Sequence, residues 1–169
     1  KVFNISSACD KNIFNSISDN NNLSLENNHK LNPYILYTGA HDPRKNLYNL
    51  LKAYSYLPSD IKRKYKLILA GKIINREEEL LDKWIIEFSI DITQVIKLGY
   101  ISDQELVDLY RNCSLFVFPS LHEGFGLPVL EAMSCGAPVI GSNLTSIPEV
   151  IGCKEALFDP TNAHEMSDL

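Results

Sequence analysis

Long apolar runs are missing from this sequence of 169 residues, and no stretch approaches the roughly 18 apolar residues of a membrane-spanning helix. A positive excess is missing as well, and the formal net charge of −5 argues against a general nucleic-acid-binding surface. The four cysteines form no Cys-x-x-Cys pair and have no histidine at metal-ligand spacing, which is typical of reduced structural thiols in a cytosolic protein. Any anionic ligand must therefore be held by a local group of donors.

The first 32 residues differ in composition from the rest of the chain. Asparagine and serine are abundant over residues 15–33, and such a composition buries little apolar surface and is typical of a linker or loop. We therefore expect residues 1–32 to be an interdomain linker and the end of a preceding domain, with a short strand in KVFNIS. The chain begins with Lys1 and ends in a helix start that Asn162 would cap, so we also expect a fragment of a longer protein.

From Pro33 to the end of the chain, short apolar runs alternate with amphipathic segments. The apolar runs predict strands over residues 34–39, 65–71, 94–100, 114–120, 138–142 and 155–159. The amphipathic segments predict helices over residues 47–57, 76–89, 102–112 and 127–136. This alternation is typical of an α/β fold with a parallel sheet of about six strands and helices on both faces. Ligands bind such sheets beyond the carboxyl ends of the strands, so we expect the functional loops at residues 41–46, 72–76, 99–102 and 120–127.

The segment HEGFGLPVLEAM follows a predicted strand and leads into a predicted helix. Gly124 and Gly126 allow a sharp turn and the close approach of a ligand to the backbone. The amides of Phe125, Gly126 and Leu127 would lie at or just before the start of the helix, where backbone donors and the helix dipole together bind anions. This is not the dinucleotide pattern G-x-G-x-x-G, because a valine occupies the place of the third glycine.

Two acids, Glu123 and Glu131, bracket this turn. A carboxylate is a poor neighbour for a phosphate but a good acceptor for sugar hydroxyls, so this layout favours a ligand with hydroxyls on both sides of its phosphates. A nucleotide-sugar has that order, with ribose, diphosphate and hexose in succession. The alternative is that Glu131 only complements the helix dipole and that Glu123 is solvated.

Basic side chains follow the first two predicted strands. Arg44 and Lys45 lie at a predicted helix start, where the dipole disfavours cations, and this placement indicates a nearby anion. Lys72 follows the second strand and is a weaker candidate for donor binding, with a plain surface lysine as the alternative. Gly99 and Tyr100 follow the third strand and could contact the edge of a base, with a simple capping loop as the alternative.

Four blocks of the sequence together resemble the nucleotide-binding half of the GT-B fold glycosyltransferases, specifically glycosyltransferase family 4. The match covers roughly Tyr34 to the end of the chain, and the blocks that carry it are YTGAHDPRKNL, LILAGK, LGYISDQELVDLY and FVFPSLHEGFGLPVLEAMSCGAPVIGSNLTSIPEV. The last block holds the paired glutamates of the family with the spacing Glu-x7-Glu. The resemblance implies that residues 33–169 are a Rossmann-like, doubly wound domain, the C-terminal half of such an enzyme and truncated at its own C-terminus. KVFNISSACDKNIF resembles the segment that leads out of the N-terminal domain, which is missing here.

The resemblance also implies a reaction. A hexose, with mannose favoured by the likeness to bacterial mannosyltransferases of lipopolysaccharide or capsule assembly, would pass with retention from a GDP- or UDP-linked donor to an acceptor glycan or lipid-linked saccharide. Glu131 would hold the ribose hydroxyls, and Glu123 would contact the donor sugar near the reacting centre. Lys45, assisted by Arg44, would stabilise the diphosphate leaving group. One departure is that Ala40 stands where many family members carry an arginine.

The same resemblance implies no metal and no cofactor besides the donor substrate. It implies a cytoplasmic protein at the inner face of the bacterial membrane, with peripheral membrane association of the full-length protein and no nucleic-acid partner. The acceptor saccharide would bind through the missing N-terminal domain, so we expect no sugar transfer by this chain alone. Two alternatives stay open, namely a nucleotide-sugar epimerase on the same fold and a non-catalytic nucleotide-binding module.

Overall fold

The computed structural model describes residues 9–16, 33–39, 42–72 and 75–169, with the backbone alone for residues 75 and 76. Its strands are β1 (Tyr34–Thr38), β2 (Lys66–Ala70), β3 (Val95–Gly99), β4 (Leu115–Phe118), β5 (Val139–Ser142) and β6 (Leu157–Phe158). Its helices are α1 (Leu47–Tyr56), α2 (Ser59–Lys64), α3 (Asn75–Glu87), α4 (Asp103–Asn112), α5 (Leu127–Ser134), α6 (Ile147–Ile151) and α7 (Ala163–Asp168). Short 3-10 turns cover Pro43–Lys45, Ile92–Gln94 and Lys154–Ala156. The predicted strand in KVFNIS and the loop positions Ala40 and His41 lie outside the described residues.

The predicted strands and helices from Pro33 onwards are present, and their ends lie within two residues of the predicted ends. Ser102 and Glu105 form the capping box of α4, with each side chain accepting a hydrogen bond from the backbone amide of the other. Asn162 caps α7 by accepting from the amide of Glu165 at 3.3 Å. Helices α2 and α6 escape the sequence pattern because six and five residues are too few to show a helical period.

The six strands form one parallel sheet in the order β3-β2-β1-β4-β5-β6. From β1 the chain adds β2 and β3 on one side, and then β4, β5 and β6 on the other, so the order of strands reverses between β1 and β4. These two strands are parallel neighbours, with Ile35 opposite Leu115 and Leu36 opposite Phe116. At such a switch point the loops that follow the two central strands diverge to opposite faces and leave a crevice at the carboxyl edge. The fold therefore offers its ligand crevice between the loop after β1 and the loop after β4.

Alternate residues of each strand face opposite sides of the sheet, and each side is covered by its own helices. Leu36, Ile68 and Phe116 pack with residues of α4, α5 and α6 on one face. Tyr37 and Leu69 pack with residues of α1, α3 and α7 on the other face. This arrangement is the doubly wound parallel sheet that the sequence predicts.

The described part of the predicted linker, residues 9–16, packs against the outer surface of α4 and α5. Phe14 is 8% exposed and lies in the core cluster of that face, with its ring centroid 6.4 Å from that of Tyr110. Arg111 donates through Nε and Nη2 to the backbone and side-chain oxygens of Asn15, each at 2.9 Å. These contacts make residues 9–16 part of the packed structure, while the predicted domain boundary at residue 33 stays a prediction.

Replacing Phe14 by alanine is expected to lower the free energy of unfolding by about 1.5–3 kcal/mol. The reason is that the folded wild-type protein shields this ring from water, and the variant loses that apolar burial. Urea denaturation followed by circular dichroism measures this difference. The matched control is Ile13→Ala, since Ile13 is 39% exposed and its truncation should change stability much less. Equal losses for the two variants would contradict the packing of this segment in solution.

Candidate functional site

Two loops at the carboxyl edge of the sheet are tied together by hydrogen bonds. In the loop after β1, the carbonyl of Arg44 accepts from the amide of Leu121 in the loop after β4 at 2.7 Å. Asn46 Nδ2 donates to the carbonyl of Pro119 at 3.0 Å. These bonds hold the two loops side by side at the switch point, so residues far apart in sequence can share one site.

Lys45 and Glu123 are brought into direct contact by these loops. The distance from Lys45 Nζ to Glu123 Oε1 is 2.6 Å, and the two side chains are 23% and 13% exposed. Lys45 Nζ also lies 5.3 Å from the ring centroid of Phe118. Because the pair is mostly shielded from water, its attraction is stronger than that of a surface ion pair. The crevice therefore contains a cation and a carboxylate that neutralise each other.

Lys45 ends a 3-10 turn that Asp42 caps. The Asp42 carboxylate accepts from the Arg44 amide at 2.8 Å and from its guanidinium through Nε and Nη2 at 3.1 and 2.6 Å. Hydrogen bonds from the Arg44 side chain and backbone lower the pKa of Asp42 to about 2. The Arg44 side chain is 68% exposed and engaged by Asp42, so an anion would have to attract it away from this partner.

Glu131 lies in α5 and is oriented by the neighbouring helix α4. Tyr110 donates from its hydroxyl to Glu131 Oε2 at 3.4 Å, a long hydrogen bond, and the same hydroxyl lies 3.3 Å from Thr38 Oγ1 at the end of β1. Burial raises the pKa of Glu131, the Tyr110 hydrogen bond opposes this shift, and the charge of Asp103 adds to it. Within the described residues Glu131 Oε1 accepts no hydrogen bond, which leaves one carboxylate oxygen available as an acceptor.

The turn before α5 has the backbone geometry of an anion site. Gly126 adopts a left-handed conformation with φ 99° and begins the helix without a side-chain cap. The amides of Phe125, Gly126 and Leu127 donate to no group in the described ranges. Gly124 has open space where a side chain would be, since no atom lies within 4 Å of that position. The predicted strand–turn–helix geometry is thus present, with three backbone donors available to a ligand.

Two residues just before α6 form hydrogen bonds with the backbone of Glu123, at the beginning of this turn. The backbone amide of Glu123 donates to Thr145 Oγ1 at 3.2 Å, and Ser146 Oγ donates to the carbonyl of Glu123 at 3.3 Å. Both hydroxyl residues lie in the loop after β5, twenty-two or more positions from Glu123 in sequence. The backbone of Glu123 is therefore fixed independently of its carboxylate.

Two buried hydroxyls close to the crevice lack a hydrogen-bond partner among the described residues, those of Tyr37 and Ser120. Tyr37 is 1% exposed, and its pKa is raised chiefly by burial, with the negative charges of Glu123 and Asp42 adding to the effect. The phenol therefore stays protonated and retains a hydrogen that it can donate near Glu123.

The remaining predicted donor-binding residues lie at the same edge of the sheet but further from the switch point. Lys72 follows β2 and is exposed, while Gly99 ends β3 with φ 71° and Tyr100 is 84% exposed. In the part of the chain that the structure describes, no hydrogen bond or ion pair joins Lys72 or Tyr100 to Lys45 or Glu123. Strands β3 and β4 are three spacings apart, about 14 Å, so only an extended ligand would reach from Tyr100 to Glu123.

Two features are absent from the described residues, a metal-binding cluster and a helix that could span a membrane. No group of three or more His, Cys, Asp or Glu side chains in them is arranged to hold a metal ion. None of their helices has both the length and the apolar character that crossing a membrane requires.

Several contributors to this site carry no signal in the sequence. Tyr110 contacts both Glu131 and Thr38, yet the three residues come from α4, α5 and β1 and meet only because α4 packs on α5 and on the sheet. Asn46, which joins the loops, is one of many asparagines in the chain and follows the basic pair directly. Its place after Lys45 at a helix start was the one signal that could have singled it out.

A parallel α/β sheet with backbone donors and paired carboxylates at its switch point is the architecture of a ligand-binding Rossmann-like domain. The model of the family described as Glycosyl transferases group 1 matches residues 20–169, and the chain belongs to this family. The predicted Rossmann-like fold of the GT-B glycosyltransferases is thereby confirmed, while family 4 and the C-terminal placement stay predictions.

Curated relatives and solved structures agree with this assignment. The chain is 44% identical over 147 residues to the serotype-specific mannosyltransferase WbdA of Escherichia coli, a match that covers 86% of this chain and 18% of the relative. It is 44% identical over 135 residues to the O-antigen chain mannosyltransferase B of Escherichia coli, which covers 79% of this chain and 35% of the relative. Sucrose-phosphate synthase from Thermosynechococcus elongatus superposes with a TM-score of 0.79 and 25% identity, over 95% of this chain and 40% of that one. The chain thus spans less than half the length of the curated relatives it matches, 18% and 35% for these two.

Proposed function

We propose that this chain is the donor-binding domain of a retaining hexosyltransferase of glycosyltransferase family 4, C-terminal to the domain that binds the acceptor. The reaction transfers mannose from a GDP- or UDP-linked donor to an acceptor glycan or lipid-linked saccharide of cell-surface polysaccharide. The contact between Lys45 and Glu123 beside the available amides of α5 carries this proposal. Family membership supports the transferase class, and two relatives named as mannosyltransferases support the sugar.

The ligand layout follows the order of the donor groups along the edge of the sheet. Tyr100, after β3, would lie nearest the base, and Glu131 would accept from the ribose hydroxyls through Oε1. The amides of Phe125 to Leu127 would donate to the diphosphate at the start of α5. Glu123 would accept from the transferred sugar, on the side of the switch point nearest β1. This order places one carboxylate on each sugar and neither on the phosphates.

Bond breaking would place negative charge on the diphosphate oxygen that leaves the anomeric carbon. Lys45 Nζ would have to exchange its Glu123 partner for this oxygen, and its attraction would increase as the bond breaks. Arg44 would assist only after release from Asp42, and Lys72 would approach the phosphates from β2. The Lys45 ammonium and the amides at the start of α5 would together stabilise the negative charge of the leaving group. For this reason the proposed reaction needs no metal ion, and no cofactor besides the donor.

The location and partners of the whole protein belong to the same proposal. We infer a cytoplasmic protein at the inner face of the bacterial membrane, with peripheral association and no nucleic-acid partner. The acceptor saccharide would bind to a domain outside residues 33–169, and this chain by itself would bind nucleotide weakly and transfer no sugar. Detectable turnover by the 169-residue chain would contradict the last point.

Replacing Glu131 by alanine is expected to weaken nucleotide binding by about 1.5–3 kcal/mol, or roughly tenfold or more, because a charged acceptor for the ribose is lost. Calorimetric titration of the chain with GDP, UDP and ADP measures the affinity and identifies the base. Glu149→Ala is the matched control, since Glu149 is an exposed acid of α6 and its removal should leave the affinity unchanged.

Three outcomes of this titration would count against the proposal. Unchanged affinity in Glu131→Ala would favour the non-catalytic nucleotide-binding module. Equal losses in the two variants would mean that net charge, and not a specific contact, sets the affinity. Absence of binding by all three nucleotides at millimolar concentration would contradict the site itself.

The epimerase alternative is separated by its product. The complete gene product, incubated with a nucleotide-sugar and an acceptor saccharide, would release nucleoside diphosphate and extend the acceptor. An epimerase would return a nucleotide-sugar of altered configuration and release no diphosphate. No feature of the described residues favours the epimerase over the transferase.

A further inference from the structure

Asn46 follows Lys45 directly and is 5% exposed, one of few polar residues buried at this depth. Its backbone has φ 60° and ψ 36°, a left-handed conformation that asparagine adopts more readily than most residues. Its amide donates to the carbonyl of Pro43 at 3.1 Å, and its carbonyl accepts from the amide of Leu50 at 3.3 Å. The 3-10 turn thus ends and α1 begins at this one residue, and its conformation fixes the path of the backbone directly after Lys45.

The carboxamide of Asn46 uses both of its donor hydrogens and its acceptor oxygen. Nδ2 donates to the carbonyl of Pro119 at 3.0 Å and to the carbonyl of Pro160 at 2.7 Å. Oδ1 accepts from Asn49 Nδ2 at 2.8 Å. The two carbonyls lie in the loops after β4 and β6, so one side chain joins three loops at the carboxyl edge of the sheet.

These bonds lie on either side of the candidate catalytic lysine. The carbonyl of Arg44, one residue before Lys45, accepts from Leu121, and the carboxamide of Asn46, one residue after it, donates to Pro119. Pro119 is four residues before Glu123 in the same loop. The bonds of Asn46 therefore help to hold the loop that carries Lys45 beside the loop that carries Glu123.

We propose that Asn46 is a positioning residue that sets the place of the Lys45 ammonium relative to Glu123. The inference rests on the proposed function, in which this ammonium stabilises the leaving diphosphate. Asparagine supplies both parts of the role, whereas glycine keeps the left-handed backbone without a carboxamide, and aspartate tolerates that backbone but has no N–H to donate to the two carbonyls. Glycine at position 46 thus removes the loop contacts while leaving the turn unstrained.

The test measures kcat and KM for the donor in the complete gene product. Asn46→Gly is expected to lower kcat about 10–100-fold, because a misplacement of about 1 Å has effects of this size, with KM for the donor changed less than about threefold. Ile85→Ala is the stability control, since Ile85 is a 1% exposed core residue of α3 and lies in none of the three loops that Asn46 joins. It should lower Tm at least as much as Asn46→Gly and leave kcat unchanged.

The same substitution in a Lys45→Ala background decides whether Asn46 acts through Lys45. If it does, Asn46→Gly causes no further loss of kcat in that background, since interacting sites are not additive. An equal factor with and without Lys45 would overturn the inference and leave the proposed function intact. A wild-type kcat in Lys45→Ala would instead contradict the proposed role of Lys45, and the positioning role would fail with it.

A milder variant covers the case in which Asn46→Gly does not fold. Asn49→Ala removes the donor to Asn46 Oδ1 and leaves both loop carbonyls in place. It should lower kcat in the same direction by a smaller factor, and again not at all in the Lys45→Ala background. Unchanged kcat in Asn49→Ala, with Asn46→Gly unfolded, would overturn the inference.

Discussion

Replacing Lys45 by alanine is expected to lower kcat of sugar transfer about 10²–10³-fold, the usual effect of removing one preorganised charge from a transition-state site. The loop contacts hold the backbone of Lys45 at the crevice, so its ammonium, 2.6 Å from Glu123, reaches the leaving oxygen by a side-chain movement alone. Steady-state kinetics of the complete gene product, with the nucleotide-sugar that binds best, measures the loss.

Two further variants make this result specific. Lys83→Ala removes an exposed lysine of α3 and should leave kcat unchanged, which tests for a general charge effect. Lys45→Ala also leaves the Glu123 carboxylate, 13% exposed, without its cation, and comparing the free energy of unfolding of Lys45→Ala with that of Lys45→Ala/Glu123→Gln measures this cost apart from catalysis. A kcat within about threefold of wild type in Lys45→Ala would contradict the assignment of Lys45 to the leaving group.

Replacing Gly126 by valine is expected to lower the free energy of unfolding by about 2–6 kcal/mol. A left-handed φ of 99° strains any residue with a Cβ, at about 1–3 kcal/mol. The Cβ would also lie 2.6 Å from Ile147 Cδ1, and the overpacking adds about 1–3 kcal/mol. Chemical denaturation measures the difference, and nucleotide titration of the folded fraction should show weaker binding, because the turn leads into the amides of α5.

Gly124→Val is the matched control for this substitution. Gly124 lies two residues earlier in the same turn, and no atom lies within 4 Å of the place where its Cβ would be. The same chemical change should therefore alter the free energy of unfolding by less than about 1 kcal/mol. Equal destabilisation at the two positions would contradict the conformation of the turn.

The elements that were predictable from the sequence are those with a local signal. The apolar run that begins at Tyr34 and the capping pair Ser102 and Glu105 depend on residues that are neighbours in the chain, so their structures follow from pattern alone. Helix α6 has only five residues, and its role behind the Glu123 turn depends on Thr145 and Ser146 in a different loop. Such a role arises from the order of strands, which local patterns do not determine.

The same distinction applies to the candidate site. The basic pair could be singled out because cations are unusual at a helix start, and the acids because carboxylates are unusual beside an anion-binding turn. Their assignment to the donor stays a prediction. Direct contact between Lys45 and Glu123 was not predictable, since 78 positions separate them and only the adjacency of β1 and β4 brings them together. The orientation of Glu131 by Tyr110 likewise depends on how two helices pack.

The contact between Lys45 and Glu123 has a consequence for ligand discrimination under the proposed function. Because Glu123 neutralises Lys45, the crevice attracts free phosphate only weakly. A ligand that draws the ammonium away from Glu123 must also donate hydrogen bonds to the Glu123 carboxylate. A sugar joined to a diphosphate provides both contacts, the phosphate for Lys45 and the hydroxyls for Glu123. A bare nucleoside diphosphate would leave the Glu123 carboxylate unpaired, and this cost disfavours its binding. After transfer the spent nucleotide is such a ligand, so the return of Lys45 to Glu123 would favour product release and limit inhibition by the product.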